Sequence, residues 1–389
     1  MNIFKPIINW LETRACAPAY SGMVLGAIAI CFFAAAINTM AGWLYVISAV
    51  SFSLLAIAAF LPPRFLSGIS VARLPIQAVT VGEDLTVELE ITNSTKKPIR
   101  LIQVKDILPY ILGESIAQAV EIIPPQDTYR WQYYYRTQRR GIYRWENVEF
   151  ATGAPFGLFW SRRQHKCAAR AIVYPTVLPL SHCPLVDEIR GEDCRFNYPH
   201  GRPFHTASEG ITRSLRPYRI GDPMRLIHWR SSARMGDLRV RELELVTSGQ
   251  EIIIALDSAG KWETENFEQA VIAAASMYFY AQKNTIQVQL WTSETSLVRG
   301  ERLVLETLAA TNPLEDTCNQ ELPKLPLIWL TQNPLTLSSL PVGSRWLLWQ
   351  PVNSGEKQVV LNRDYPGIAI EQEKALKTQL QQKLDIAQI

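Results

Sequence analysis

No charged residue falls between Ala15 and Pro63. That absence excludes an ordinary solvated segment, and the stretch is long enough to cross a bilayer twice. Its two apolar parts, Ala17–Ile37 and Ala41–Leu61, each match the ~20 residues of one transmembrane helix, with Asn38 and Thr39 as the expected turn. A cleaved signal peptide offers an apolar core of only about 7–15 residues. A buried hairpin in a soluble protein would need polar residues to cover an outer face, and neither run supplies them. Gly22, Gly26 and Ala29 would let the two helices approach closely. Lys5 and Arg14 precede the hairpin, Arg64 and Arg73 follow it, and the turn carries no charge. The positive-inside tendency therefore predicts a two-pass protein of the cell inner membrane with both termini, and the C-terminal domains, in the cytoplasm.

Other absences bear on chemistry. Among Cys16, Cys31, Cys167, Cys183, Cys194 and Cys318 there is no CxxC pair and no disulfide framework. The chain has no glycine-rich loop ending in Lys-Ser/Thr, no HExxH and no GxSxG, and its five histidines form no recognisable triad by spacing. No catalytic residue is assigned and no cofactor is expected. An uncharacterised enzyme remains an alternative only because distant residues can meet on folding. The net charge of +3 is unremarkable, and the 48% hydrophobic content is raised by the hairpin.

After the hairpin the period changes to two. Leu85, Val87, Leu89 and Ile91 alternate with Thr86, Glu88, Glu90 and Thr92, the pattern of a strand with one buried face. Further strands are predicted at Ile99–Val104, Ala119–Ile123, Tyr129–Tyr135, Gly141–Phe150 and Ala168–Tyr174. Together they suggest an all-β sandwich over 70–175, following a hairpin region at 1–66. Trp131, Tyr133, Tyr134, Tyr135, Tyr143 and Trp145 are expected to supply packing and a protein-contact surface rather than a ligand platform. Asn93-Ser94-Thr95 has the form of a glycosylation sequon but reads better as a turn.

Between Gly201 and Glu242 there is no lysine but there are nine arginines, against Glu209, Asp222 and Asp237 before the terminal Glu242. Arginine presents a planar fork suited to carboxylates, phosphates and buried ion pairs. Gly221-Asp222-Pro223 predicts a turn in which Asp222 caps a helix over Met224–Arg234 that stops near Gly236. Arg230 and Arg234, four apart, share a face. His228 and Trp229 are read as packing or hydrogen-bonding residues, since no second histidine stands at a metal-ligand spacing. Asp222, Arg225, Arg230 and Arg234 would organise the core, with Trp229 anchoring its packing. Leu238–Glu242 resumes as a strand.

The run from Arg216 through Tyr218, Gly221, Asp222, Arg225, His228, Trp229 and Arg230 to Arg234, followed by Leu238-Arg-Val240-Arg241-Glu242, resembles the signature of the domain of unknown function 58 family. Arg140-Gly141 with Tyr143, and Pro155-Phe156-Gly157-Leu158-Phe159, resemble that family's segment ahead of the core. Two positions depart from it: the family commonly has an acid where this chain has His228, and another where it has Ala154. The arginine-rich core occupies 176–250.

Over 251–389 strand and helix patterns alternate: Glu251–Asp257, Phe267–Gln282, Thr285–Trp291, a helix at Leu303–Ala310, strands at Leu327–Leu330 and Trp346–Trp349, and a terminal amphipathic helix at Ile370–Ile386. The family resemblance implies a Rossmann-like, von Willebrand A-like α/β domain here, which in relatives can bind a divalent metal through a DxSxS loop. The corresponding run is Asp257-Ser258-Ala259-Gly260-Lys261, with both serine positions lost and Lys261 expected to bring positive charge toward the cation's place. Only Asp257 and Ser258 remain as oxygen donors in this degenerate loop, so no metal site is expected.

The chain thus reads as multidomain: a transmembrane hairpin, a sandwich, the arginine core and an α/β domain. Its expected role is a membrane-anchored interaction or assembly protein facing the cytoplasm. The resemblance implies association with a MoxR-type AAA+ ATPase and an unknown protein client. A competing reading assigns the arginines to anionic lipid as a membrane scaffold. Nucleic acid is not expected, because the arginines are interleaved with Leu215, Leu226, Ile227, Trp229, Leu238 and Val240 as in a folded segment.

Overall fold

The computed structural model of the chain describes residues 12, 15–192, 211–218, 227–244, 251–315, 323, 325–341, 343–350, 366–382 and 384. The chain divides into two compact units, Met1–Pro175 and Thr176–Ile389.

The first unit opens with a helical hairpin, α1 (Tyr20–Thr39) and α2 (Gly42–Phe65). Both helices are long and apolar enough to cross a membrane, and Ile30, Phe33, Ile37, Val46, Val50 and Phe60 remain exposed along them. That apolar exterior is unlike a helical hairpin buried in a soluble core. The turn falls at Met40–Ala41 rather than at Asn38–Thr39. Thr39 stays helical, its hydroxyl donating to the Ala35 carbonyl at 2.8 Å, and Met40 ends the helix in the left-handed region at φ 48. The second helix continues through Pro62 and Pro63 to Phe65 instead of stopping at Leu61. Pro63 has no N–H to offer the Ala59 carbonyl, and the Cys16 thiol donates to that carbonyl at 3.2 Å.

The β-rich middle is two packed antiparallel layers. One sheet has the order β2 (Ile69–Arg73), β4 (Asp84–Asn93), β7 (Thr128–Arg136). The other runs β1 (Ala17–Pro18), β9 (Phe159–Tyr174), β8 (Gly141–Thr152), β5 (Ile99–Asp106), β6 (Ile116–Ile123), with β3 (Val79–Thr80) added in parallel to β9. The alternation in β4 is realised literally: Leu85, Val87, Leu89 and Ile91 are fully buried against Val104, Phe150, Ala171 and Val173 of the facing sheet. The main omissions at the sequence level are β2 and the first half of β9, whose Arg162–Lys166 run is too polar to read as a strand. Trp131, Tyr133, Tyr143 and Trp145 pack inside, while Tyr134 is exposed. Asn93 is fully buried; its amide donates to the Lys97, Ile123 and Pro124 carbonyls and its oxygen accepts from Thr95, so the sequon is a turn.

The second unit carries a five-stranded parallel sheet, β13 (Gln287–Thr292), β12 (Glu251–Leu256), β14 (Leu327–Thr331), β15 (Arg345–Trp349), β16 (Gly367–Ile370). Its strands are nearly continuous apolar runs, as burial on both faces requires. Helix α5 (Thr264–Lys283) lies on one face with Ala270, Ala273, Ala274 and Ala281 buried, small residues that bring its backbone close to the sheet. Helices α3 (Pro184–Glu192), α6 (Glu301–Ala310) and α7 (Leu376–Leu380) complete that layer. The long terminal helix expected from Ile370 is not formed as such: Ile370 ends β16, and helix is confined to Leu376–Leu380 among the described residues. Gln379 is buried and exchanges hydrogen bonds with the Glu371 backbone, capping the end of β16. The remaining pair, β10 (Ile211–Pro217) and β11 (Arg239–Glu244), is antiparallel and brackets α4 (Trp229–Met235).

Candidate functional site

The arginine-rich core is built on the β10–β11 ladder, in which Leu215 pairs with Arg241 and Arg216 with Val240. Tyr218 extends the ladder through its N–H to the Leu238 carbonyl at 2.8 Å. Ile227 bridges Val240, and His228 N–H donates to the Arg239 carbonyl at 2.8 Å. The chain then turns into α4, whose cap is His228 and not Asp222. The His228 ring nitrogen Nδ1 accepts from Ser231 N–H at 3.2 Å. This is the bond an aspartate at that position would make, so the imidazole serves here as the capping acceptor. The expected helix start at Met224 is corrected accordingly, because Ile227 is held in β-pairing; the expected stop at Gly236, at φ 79, is observed.

Ser232 fixes the helix to the ladder. It is buried, its hydroxyl donates to the His228 carbonyl at 3.1 Å, and it accepts from Arg239 N–H at 2.8 Å. The expectation that Trp229 anchors packing is corrected: it is 61% exposed, as the first residue of the helix after the His228 cap. Arg230 and Arg234 are exposed one turn apart, with Met235 and Leu238 exposed beside them. Gly221, Asp222 and Arg225 lie outside the described residues, and with them the contacts expected of Asp222. Arg216 and Arg241 are placed by backbone register alone.

A second candidate lies at the carboxyl ends of the parallel strands. The strand order reverses between β12 and β14, and crevices at such switch points are where open α/β sheets bind ligands. Asp257 follows β12 at that point and is 8% exposed. Thr331, ending β14, donates to Asp257 Oδ2 at 2.7 Å. Burial pushes the Asp257 carboxyl above its ordinary range, opposed by the bonds from Thr331 and the Gly260 backbone. Ser258 is fully buried and its hydroxyl accepts from Ser293 N–H at 3.0 Å, while Ser293 accepts from Ala259 N–H. Trp262 donates to the Asp257 carbonyl and its ring packs against Phe267 and Trp349. That anchor turns Lys261 out to solvent, so its expected charge over the loop is corrected: Asp257 answers to burial and hydrogen bonding instead. Among the described residues no three His, Cys, Asp or Glu side chains are grouped as metal ligands.

Sequence reasoning missed a buried charged hub of the first unit. Asp106, fully buried in the sandwich, accepts a fork from Arg73, a bond from the Tyr133 hydroxyl at 2.7 Å and one from the Trp145 indole N–H at 3.0 Å. The Arg73 guanidinium also lies over the Trp145 ring, 5.1 Å from its centroid. The expected flanking role of Arg73 is corrected: its side chain is 3% exposed and paired, so it offers the membrane no free charge. The available signal was a lone arginine in an apolar alternation, with an acid ending a later strand, and nothing local links the two. This hub is structural, since all of Asp106's partners are core side chains.

A family model described as "Protein of unknown function DUF58" matches residues 214–301, which span the β10–β11 core, the Asp257 loop and α5. The "Uncharacterized protein YeaD" of Bacillus subtilis (strain 168) is 24% identical over 208 residues, 52% of this chain and 50% of that protein, so the chain spans about half the length of this curated relative. Among solved structures, red sea bream transglutaminase is similar over 28% of this chain and 15% of that one, at 13% identity and TM-score 0.19. The CARDB domain of the PF1109 protein from Pyrococcus furiosus is similar over 27% of this chain and 93% of that one, at 10% identity and TM-score 0.18. Likenesses at these scores carry nothing about function.

Proposed function

We propose that this chain is a membrane-anchored interaction or assembly protein whose second unit faces the cytoplasm and engages a MoxR-type AAA+ ATPase, with a protein client as the further partner. The observation that carries the reading is the exposed set Trp229, Arg230, Arg234 and Met235, held on a short helix by the buried Ser232 and the His228 cap, with Leu238 exposed just ahead of β11. Tryptophan and arginine are the residue types that dominate interface energetics, and here they are presented on a rigid local scaffold. Orientation is supported by the exposed Arg64 at the end of α2 and by the uncharged Met40–Ala41 turn.

The α/β region is read as von Willebrand A-like. Its support is the strand order, together with Val298 bridging Leu290 in the antiparallel sense at the β13 edge. In that reading the Asp257 loop has exchanged cation binding for a structural role, since the Ser258 and Thr331 oxygens are committed to bonds with neighbouring strand ends.

The test is co-purification of the full-length protein with a co-expressed MoxR-type ATPase in mild detergent. Trp229→Ala combined with Arg230→Ala is expected to leave the melting temperature unchanged and to abolish capture. A folded double variant that captures the ATPase normally contradicts the reading.

A further inference from the structure

We propose that the end of the sandwich nearest the hairpin is a lipid-contact surface, with Leu101, Phe156 and Trp160 seated in the boundary between headgroups and hydrocarbon. The inference rests on the bilayer-spanning reading of α1 and α2. Two contacts fix this end of the sandwich to the base of the hairpin. Ala19 N–H donates to the Leu158 carbonyl at 2.8 Å and Ser21 to the Gly157 carbonyl at 3.2 Å, so the Gly153–Leu158 loop lies against the first turn of α1. The fit is close enough that a Cβ at Gly22 would stand 2.2 Å from the Leu158 oxygen. On the other side Ser94 N–H donates to the Gly68 carbonyl at 2.9 Å, three residues past the end of α2.

A 20-residue helix is about 30 Å long, the thickness of the hydrocarbon core, so its first turn stands at that core's edge. Whatever is pressed on that turn shares its depth. The side chains there are apolar and uncovered: Leu101 is 61% exposed, Phe156 50% and Trp160 41%. Leu101 adopts φ 56, a left-handed value unusual for leucine; its carbonyl is held by the Thr152 hydroxyl at 2.9 Å while its neighbour Ile102 enters the core. The Trp160 ring lies flat enough on Gly153 that a Cβ there would meet it at 3.1 Å. Lys96, Lys97 and Arg100 are exposed on the segment that carries the second contact. An apolar tip with tryptophan, flanked by cations, matches the chemistry of the bilayer interface, where tryptophan concentrates and basic side chains meet lipid phosphates.

The test uses the full-length protein, its native cysteines replaced, in nanodiscs of phosphatidylcholine and phosphatidylglycerol. Single cysteines at Phe156→Cys and Leu101→Cys carry an environment-sensitive fluorophore, and the lipids carry a nitroxide near the headgroup end of the acyl chain. Val46→Cys on α2 reports the hairpin and Tyr110→Cys, 97% exposed on the β5–β6 loop, reports solvent. Labels at 156 and 101 are expected to emit to the blue of the Tyr110 label and to be quenched as the Val46 label is. Labels at both sites as wet and unquenched as that at Tyr110, beside a quenched Val46 label, overturn this inference and leave the anchor standing. An unquenched Val46 label overturns the anchor and the inference together.

Discussion

Replacing Asp106 with alanine removes the acceptor on which Arg73, Tyr133 and Trp145 converge. The variant leaves a guanidinium that is 3% exposed with no carboxylate beside it. Breaking a buried pair in this way costs roughly 3–5 kcal/mol. At about 2–4 °C per kcal/mol for a unit of this size, the sandwich should melt roughly 6–20 °C earlier. Arg73→Met with Asp106→Leu should recover the part of that loss that belongs to the stranded charge, while the Tyr133 hydroxyl and the Trp145 N–H stay without their acceptor. Tyr133→Phe removes one bond to a charged acceptor and should cost about 1.5–3 kcal/mol. It should also flatten the alkaline limb. Burial, and then Asp106, push the Tyr133 phenol well above its ordinary 10.0. The stability it contributes is therefore complete below pH 10.0 and is lost as the unfolded chain ionises above it. Near-ultraviolet circular dichroism of the detergent-solubilised full chain, with hydrogen exchange read across β4, β5 and β7, separates this unit from the other. An Asp106→Ala variant that loses less than about 1 kcal/mol would refute the reasoning, since that is the range of an ordinary surface pair.

Three further outcomes follow from local geometry. Asp257→Asn should hold or raise the melting temperature at neutral pH and lose that advantage below pH 3.8. The raised carboxyl pKa means that ionisation opposes folding, and the difference fades once both states are protonated; a lower melting temperature at pH 7 would show that the charge is needed. Gly22→Ala should cost about 1–3 kcal/mol by driving a Cβ into the Leu158 oxygen, seen as faster exchange of the Ala19 amide, with unchanged exchange counting against the contact. His228→Asp should slow exchange of the Ser231 amide and add about 0.5–1 kcal/mol, because a carboxylate at a helix N-terminus accepts the same bond and meets the helix dipole; faster exchange would contradict the capping role.

Much of the architecture was legible because its signals are local. The uncharged run marked the hairpin, the alternation through Leu85–Ile91 marked β4, and the apolar runs flanking an alanine-rich helix marked the parallel sheet. The failures are where a long-range contact decides. The polar Arg162–Lys166 run is strand because it pairs with Asn147–Ala151, a partner no window on the sequence contains. Gly22 read as a helix–helix spacer, yet its missing side chain makes room for Leu158. Arg73 reads as a membrane flank in the sequence, yet it is paired with Asp106 inside the sandwich. At the arginine core the punctuation Gly-Asp-Pro predicted a helix start, but pairing of Ile227 with Val240 delays the helix to Trp229 and gives the cap to His228. The same delay turns Trp229 outward, converting an expected packing residue into the centre of the proposed interaction surface.

Anchoring by a two-pass hairpin with both globular parts on the cytoplasmic side is tested most directly by cysteine accessibility in intact cells. In a background without native cysteines, Met40→Cys at the hairpin turn and Tyr110→Cys on the β5–β6 loop are both fully presented to label. A membrane-impermeant maleimide is expected to modify the cysteine at position 40 from the periplasmic side and to reach position 110 only after permeabilisation. Equal labelling of both positions in intact cells would contradict the two-pass, cytoplasm-facing account.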